Sequence, residues 1–316
     1  MIFWQHIADR LADGQKLYVL TVIANSGSSP GRRGFKMLVA QDDFIFGSVG
    51  GGVMEFTLVD EARELLKEEN PPTFIKRQIH RGKIKDGSGM ICSGEQTIAF
   101  HCIDSNKIAV INDIITYLEK GKKGLFSLTP DSLNFSSEES ATHFKTQINS
   151  ATDWLFEEQL GFQDTLYIVG GGHVGVAVSE VFLKLGFYIV VFDNRENLNT
   201  LDNNLSAHQK KVVDYNQISE YIPPGTSSYV AIMTNTYTDD KLVLSKLIHN
   251  GYKYIGVLGS KSKLKTLWKV MLQEGFSREE LDKVHAPIGL SIKSETPEEI
   301  AVSIAAEVIG VRNRRK

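Results

Sequence analysis

The spacing of apolar and polar residues changes character along this chain, and the change separates two halves. Ile2, Phe3, Ile7 and Leu11 recur at helical intervals ahead of Gly14, predicting a helix over 1–12. The β-branched run from Leu17 to Ala24 predicts a strand, and the polar NSGSSPGRRG of 25–34 can only be a loop. Short strands over 35–40 and 44–49 bracket Gln41-Asp42-Asp43. A helix follows from Val53 to about Glu69, where Asn70-Pro71-Pro72 stops it. Strands near 73–79 and 96–103 flank the polar stretch 80–94, and 108–119 reads as a helix. Residues 121–150 are polar and serine-rich, a connecting segment with one hairpin. These elements predict an N-terminal α+β domain over 1–150 and a second domain over 151–316.

From Thr165 the pattern alternates. Apolar runs at 165–169, 187–192, 228–234 and 253–258, with a shorter one near 211–213, predict strands. Helical periodicity appears over 173–185, 238–249, 262–274 and 297–311. Such alternation predicts a Rossmann-like, doubly wound parallel sheet, making the chain α/β as a whole. Thr296 as N-cap, Pro297 and Glu299 predict a sharp start for the last helix.

The glycines carry most of the chemistry. Gly170, Gly172 and Gly175 fit G-x-G-x-x-G between a predicted strand and a predicted helix, with Asp193 closing the next strand. In that context the first glycine permits a tight turn and the second lets backbone approach a phosphate. The third brings helix and strand close, and the amides around His173 and Val174 face an anion. Asp193 is placed to accept from ribose hydroxyls, or is simply a solvated carboxylate. Arg195 can stack on a base or pair with a 2′-phosphate, leaving NAD and NADP both open. His173 can meet an anion, act as an acid or base, or only begin the helix.

Thr234, Asn235, Gly259, Ser260 and Lys261 fall at the carboxyl ends of predicted parallel strands, where open α/β sheets bind ligands. Their bland alternative is helix capping by Thr234 and Ser260. Gly50, Gly51 and Gly52 open a second loop-to-helix junction whose amides can cradle an anion. There Glu55 either complements the helix dipole or hydrogen-bonds a heterocycle. Cys92, flanked by glycines and near Lys76, Arg77, His80, Arg81, Lys83 and Lys85, reads as an accessible thiolate suited to a soft metal. Cys102, in an apolar strand, reads as packing.

Composition narrows the field. A net charge of -3 over 316 residues argues against a general nucleic-acid binder. No apolar run approaches a membrane span, and Met1 to Leu11 lacks the pattern of a secretory signal. With only Cys92 and Cys102 there is no disulfide framework, and a cytoplasmic protein with reduced thiols is expected.

Together GSSPGRRGFKMLV (27–39), GSVGGGVME (47–55), GMICSGE (89–95), LYIVGGGHVG (166–175), VFDNRE (191–196), YIGVLGSK (254–261) and the closing segment from Pro287 to Glu307 resemble the xanthine dehydrogenase accessory-factor family of the XdhC/CoxI type. The resemblance implies a chaperone, rather than a catalyst in its own right, that binds the molybdenum cofactor (molybdopterin). It also implies support for sulfuration by a cysteine desulfurase and delivery to an apo molybdenum hydroxylase of the xanthine dehydrogenase type. Cys92 would be the metal-side thiol, and the Rossmann-like half would hold NAD(P) or the pyrophosphate of a dinucleotide cofactor. The cofactor is expected in a cleft shared by the two halves. A homodimer fits a protein of this kind, although no pattern encodes one. Asn235 stands where the family usually has histidine, and Ser93 where it usually has glycine. The rival readings are an NAD(P)-dependent oxidoreductase using His173 or Lys261, and a nucleotide-binding regulatory module.

Overall fold

Helix α1 (Ile2–Ala12) is followed by β1 (Leu17–Gly27), β2 (Lys36–Ala40), β3 (Ile45–Gly47), α2 (Val53–Leu65), β4 (Phe74–His80), β5 (Gly94–Ile103) and α3 (Ile108–Glu119). The computed structural model describes residues 2–80 and 94–314. These strands form an antiparallel five-stranded sheet in the order β3-β2-β1-β5-β4. Strand β1 is apolar on both faces because both are covered. Leu17 and Val19 pack towards α1 and α3 with Trp4, Ile7, Ile111 and Ile114. Tyr18, Leu20 and Val22 pack towards α2 with Leu58, Val59 and Ala62. Full burial of one such aliphatic side chain stabilises the fold by about 1.5–3 kcal/mol.

Residues 121–160 depart from the expectation of a mostly unstructured connection. They form β6 (Gly124–Leu128), β7 (Leu133–Ser136), β8 (Phe144–Ser150) and β9 (Asp153–Leu160), a four-stranded antiparallel sheet ordered β7-β6-β9-β8. Phe126, Leu128, Leu133, Trp154 and Phe156 bury into the core shared with α1 and α3. The first compact unit therefore runs Met1–Gly161, past the boundary at 150 that the polar composition suggested.

The second unit, Phe162–Lys316, contains β10 (Thr165–Val169), α4 (His173–Lys184), β11 (Tyr188–Asp193), α5 (Asn199–Asp202), β12 (Gln209–Val212), α6 (Ile218–Tyr221), β13 (Gly225–Ile232), α7 (Tyr237–Leu247), β14 (Tyr252–Val257), α8 (Lys261–Gln273), α9 (Arg278–Leu281) and α10 (Pro297–Asn313). All pairings in its sheet are parallel, in the order β12-β11-β10-β13-β14. Numbered within the unit, this is the dinucleotide-binding order 3-2-1-4-5, whose direction reverses between β10 and β13. Both faces are buried, one under α7 and α8 and the other under α4 and α10. Helix α10 begins with the expected capping box, Thr296 Oγ1 accepting from Glu299 N–H and Glu299 accepting from Thr296 N–H. Among the described residues no helix is long and apolar enough to cross a membrane.

Candidate functional site

At the point where strand order reverses, backbone ties bring three strand ends together. Met233 N–H donates to Val169 O at 2.8 Å, and Leu258 N–H to Ile232 O at 2.8 Å. The turn after β10 must be glycine for steric reasons. Gly170 has φ +124°, and a Cβ there would lie 2.2 Å from Met233 O. A Cβ on Gly175 would lie 2.4 Å from Gly170 O, so that glycine sets the approach of α4 to β10. Gly172 is different: nothing lies within 4 Å of where its Cβ would be. Open space over backbone at the mouth of a helix is what an incoming phosphate needs.

Helix α4 also begins differently from its neighbours. Its N-cap Gly172 offers no side chain, whereas Thr236, Ser260 and Thr296 cap α7, α8 and α10 with their own hydroxyls. The leading amides of a helix need acceptors, so α4 keeps that demand unmet by a cap. His173 is exposed and lines a pocket of about 310 Å³ with Glu180, Asn199, Thr200, Pro297 and Glu298. Val174 packs against the apolar core on the α4 side of the sheet.

Asp193 does not stand open to a ribose. It is 1% exposed. Oδ2 accepts from Gly171 N–H at 2.8 Å and from an Arg195 terminal nitrogen at 2.9 Å, and Oδ1 accepts from Arg195 Nε at 2.8 Å. Burial alone would raise its pKa; the Arg195 and Gly171 hydrogen bonds outweigh burial and hold the carboxyl below its ordinary value. Asp193 thus locks the glycine turn from behind, and Arg195 is the partly exposed group of the pair.

On the neighbouring strand end, Thr234 is largely buried. Its N–H and hydroxyl both donate to Asp240 Oδ1, at 3.0 and 2.6 Å. Asp240 is fully buried, and Lys263 Nζ stands 2.5 Å from its other oxygen. The sequence singled out Lys261; the structure puts Lys263 at the rim's carboxylate and leaves Lys261 exposed on the outer side of α8. A two-residue offset on a helix turns side chains well apart, which was the available signal. Gly259 is half-buried, Ser260 Oγ caps α8 by accepting from Lys263 N–H at 3.2 Å, and Asn235 is exposed on the rim.

In the first unit the Gly50–Gly52 loop already holds an anion of its own. Glu55 Oε2 accepts from Ser48 Oγ at 2.7 Å, Val49 N–H at 2.8 Å and Gly51 N–H at 2.9 Å. The carboxylate therefore occupies the nest that the sequence offered to an external anion. Beneath it lies a buried network with no local sequence signal. Gln96 Oε1 accepts from Gly31 N–H, while its amide donates to Val49 O and Gln78 Oε1. A Cβ on Gly31 would lie 2.2 Å from Val49 O. Strand β1 runs on through Asn25–Gly27, which the sequence assigned to a loop, and these contacts stitch the 28–35 loop, the 48–52 loop and the start of β5 together.

Cys92 lies outside the described residues, as do Arg81, Lys83 and Lys85. Of the nearby cations, Lys76 pairs with Glu61 at 2.5 Å and Arg77 with Glu95, so both are already engaged. Burial pushes the Cys102 thiol up to about 11, which keeps it protonated near neutrality and consistent with packing. Among the described residues no cluster of His, Cys, Asp and Glu could hold a metal ion.

Comparison with known proteins fits this fold. The chain matches the model of the XdhC Rossmann domain over residues 166–308 and that of the XdhC and CoxI family over 10–76. It is 25% identical over 307 residues to the uncharacterized protein YqeB of Escherichia coli (strain K12), covering 97% of this chain but 46% of that protein, so it spans under half of that relative's length. It is 23% identical to a probable xanthine dehydrogenase subunit of Bacillus subtilis (strain 168), covering 96% of each. It is 25% identical to the molybdenum cofactor insertion chaperone PaoD of Escherichia coli (strain K12), covering 96% of this chain and 86% of that one. A crystal structure from Bacillus halodurans, described as a xanthine dehydrogenase, superposes with a TM-score of 0.72 at 24% identity over 99% of this chain and 96% of that one; this likeness speaks to the fold. With a matching model in each compact unit, the chain belongs to the XdhC and CoxI family.

Proposed function

We propose that this protein is an accessory factor that takes up the molybdenum cofactor and supports its sulfuration and insertion into a molybdenum hydroxylase of the xanthine dehydrogenase type. The cofactor is cargo in this reading. The observation that carries it is the uncapped start of α4 at the sheet's reversal point, with open space over Gly172. Amides there can donate to the phosphate or pyrophosphate of the pterin, and Arg195, with Thr234 and Asn235 on the adjoining rim, bounds it. Family membership and the insertion-chaperone relative support the choice of cargo. The thiol assigned to the metal side is Cys92, on the strength of its glycine-flanked sequence. A cysteine desulfurase supplies sulfur to the cargo, and the apo-hydroxylase receives it.

The strand order favours one further reading, an NAD(P)-dependent oxidoreductase, because dinucleotides bind at this reversal point in such sheets. Native mass spectrometry of the small molecule that co-purifies separates the two. A pterin supports the accessory factor. A nicotinamide dinucleotide, with turnover by the protein alone, supports the oxidoreductase. Within the first reading, Cys92→Ser should abolish retention of the molybdenum cofactor while leaving the melting temperature unchanged; unaltered retention removes the metal role from this thiol.

A further inference from the structure

Helix α8 carries a charge pattern that the nucleotide-type site does not use. Its sequence, KSKLKTLWKVMLQ, contains Lys261, Lys263, Lys265 and Lys269 and no acidic residue, in a chain whose net charge is -3. Lys263 turns inward to Asp240. Lys261, Lys265 and Lys269 fall at four-residue intervals on the outer side, spanning roughly 12 Å of helix. Among the described residues none of the three has an ion-pair partner, and all three are exposed.

These lysines border a groove of about 600 Å³ whose floor is apolar: Leu264, Trp268, Leu272, Ala286 and Pro287. Arg278, paired with Asp282 at 2.9 Å, also lines it. Leu272 is 41% exposed, and Trp268 is only partly buried. A solvated basic face needs no apolar floor, and an apolar groove needs no row of unpaired cations. The two together describe a receptor for something acidic that carries a hydrophobic anchor.

We propose that this groove docks an acidic segment of a partner protein. Carboxylates of the segment meet Lys265 and Lys269, and one apolar side chain lodges between Trp268 and Pro287. A nucleic acid fits less well, because the chain is acidic overall and the groove has one aromatic ring rather than a row of stacking platforms. The inference does not rest on the identity of the cargo, since Lys265 and Lys269 lie beyond the strand-end rim.

The test uses the full chain and a fluorescein-labelled helical peptide of about 15 residues, with Glu at every fourth position and Leu between. Fluorescence anisotropy should show saturable, salt-sensitive binding. Affinity should fall about tenfold or more for the peptide with Gln in place of Glu, and for the Lys265→Glu/Lys269→Glu double variant. Both substitutions are at exposed positions, so thermal unfolding of the variant should match the parent. No saturable binding, equal affinity of the Gln peptide, or unchanged affinity of the double variant overturns the proposal. Tighter binding of oligothymidylate than of the Glu peptide overturns it in favour of a nucleic acid. A sedimentation coefficient altered by the double substitution overturns it in favour of a second copy of this chain.

Discussion

Arg195 grips Asp193 with two nitrogens, Nε on Oδ1 at 2.8 Å and a terminal nitrogen on Oδ2 at 2.9 Å, while Gly171 N–H holds the same carboxylate from the turn. One local ion pair thereby fixes the shape of the glycine turn. Replacing Asp193 with Asn removes charge from hydrogen bonds that are buried on the acceptor side, a loss of about 1–3 kcal/mol. The pH dependence has a definite sign. The folded carboxyl titrates below its unfolded value, so its stabilisation is present above about pH 4, the ordinary Asp value, and disappears as pH falls through the lower folded value. Denaturant titrations between neutral and acidic pH should show a shallower acid limb for Asp193→Asn than for the parent. An unchanged limb would mean that Arg195 contributes little to this carboxylate.

Gly172 and Gly175 make opposite predictions although they are three positions apart. Gly175→Ala drives a Cβ into Gly170 O, and overpacking of this kind costs about 1–3 kcal/mol. At about 2–4 °C per kcal/mol for a unit of this size, its melting temperature should drop by several degrees. Gly172→Ala meets nothing within 4 Å and has an ordinary negative φ, so it should melt with the parent. It should nonetheless lose about tenfold or more in retention of whatever anion binds there, since the methyl occupies the phosphate's approach. If both variants bind normally, the α4 terminus is not the site.

The reversal-point turn is readable in the sequence because its constraints are local. Strand, three glycines, helix and Asp193 lie within one stretch of chain; Gly170 and Gly175 answer to the backbone oxygens of Met233 and Gly170, and Gly172 to open space. Lys261 and Lys263 differ by a rotation about the helix axis, which their closeness to a strand end does not reveal. The sheet of residues 124–160 is hard to read for a physical reason: β8 buries none of its seven residues, and so shows no run of core positions. Its place is settled by Trp154 and Phe156 burying against α1 and α3, which no local window contains. Gln96 is similar. It looks like any polar strand residue until Gly31, Val49 and Gln78 close around it.

His101 is 3% exposed, between Ala99 and Ile103 on β5, and its Nδ1 has no hydrogen-bond partner among the described residues. Burial, with a smaller contribution from Lys107, lowers its pKa to about 4. Because the folded value lies below the unfolded one, the fold loses stability as pH drops from about 6.5 towards 4, where a proton must be forced onto a buried ring. The full effect is on the order of 3 kcal/mol. His101→Leu should flatten the stability profile across that window while remaining folded at neutral pH. A profile identical to the parent's would show that water reaches the ring.

Glu55 supplies the last test, because it decides whether the Gly50–Gly52 loop is a binding element or a finished piece of structure. Its Oε2 satisfies the amides of Val49 and Gly51 and the hydroxyl of Ser48. In Glu55→Ala those amides lose their acceptor, at a cost of about 1–3 kcal/mol. Hydrogen exchange at Val49 and Gly51 should accelerate about tenfold or more. The vacated nest then regains the capacity for an external anion. Millimolar phosphate should slow exchange at these amides and shift their NMR resonances in Glu55→Ala, and leave the parent unmoved. If phosphate shifts them equally in the parent, the carboxylate yields its place to ligand, and the loop belongs to a binding site after all.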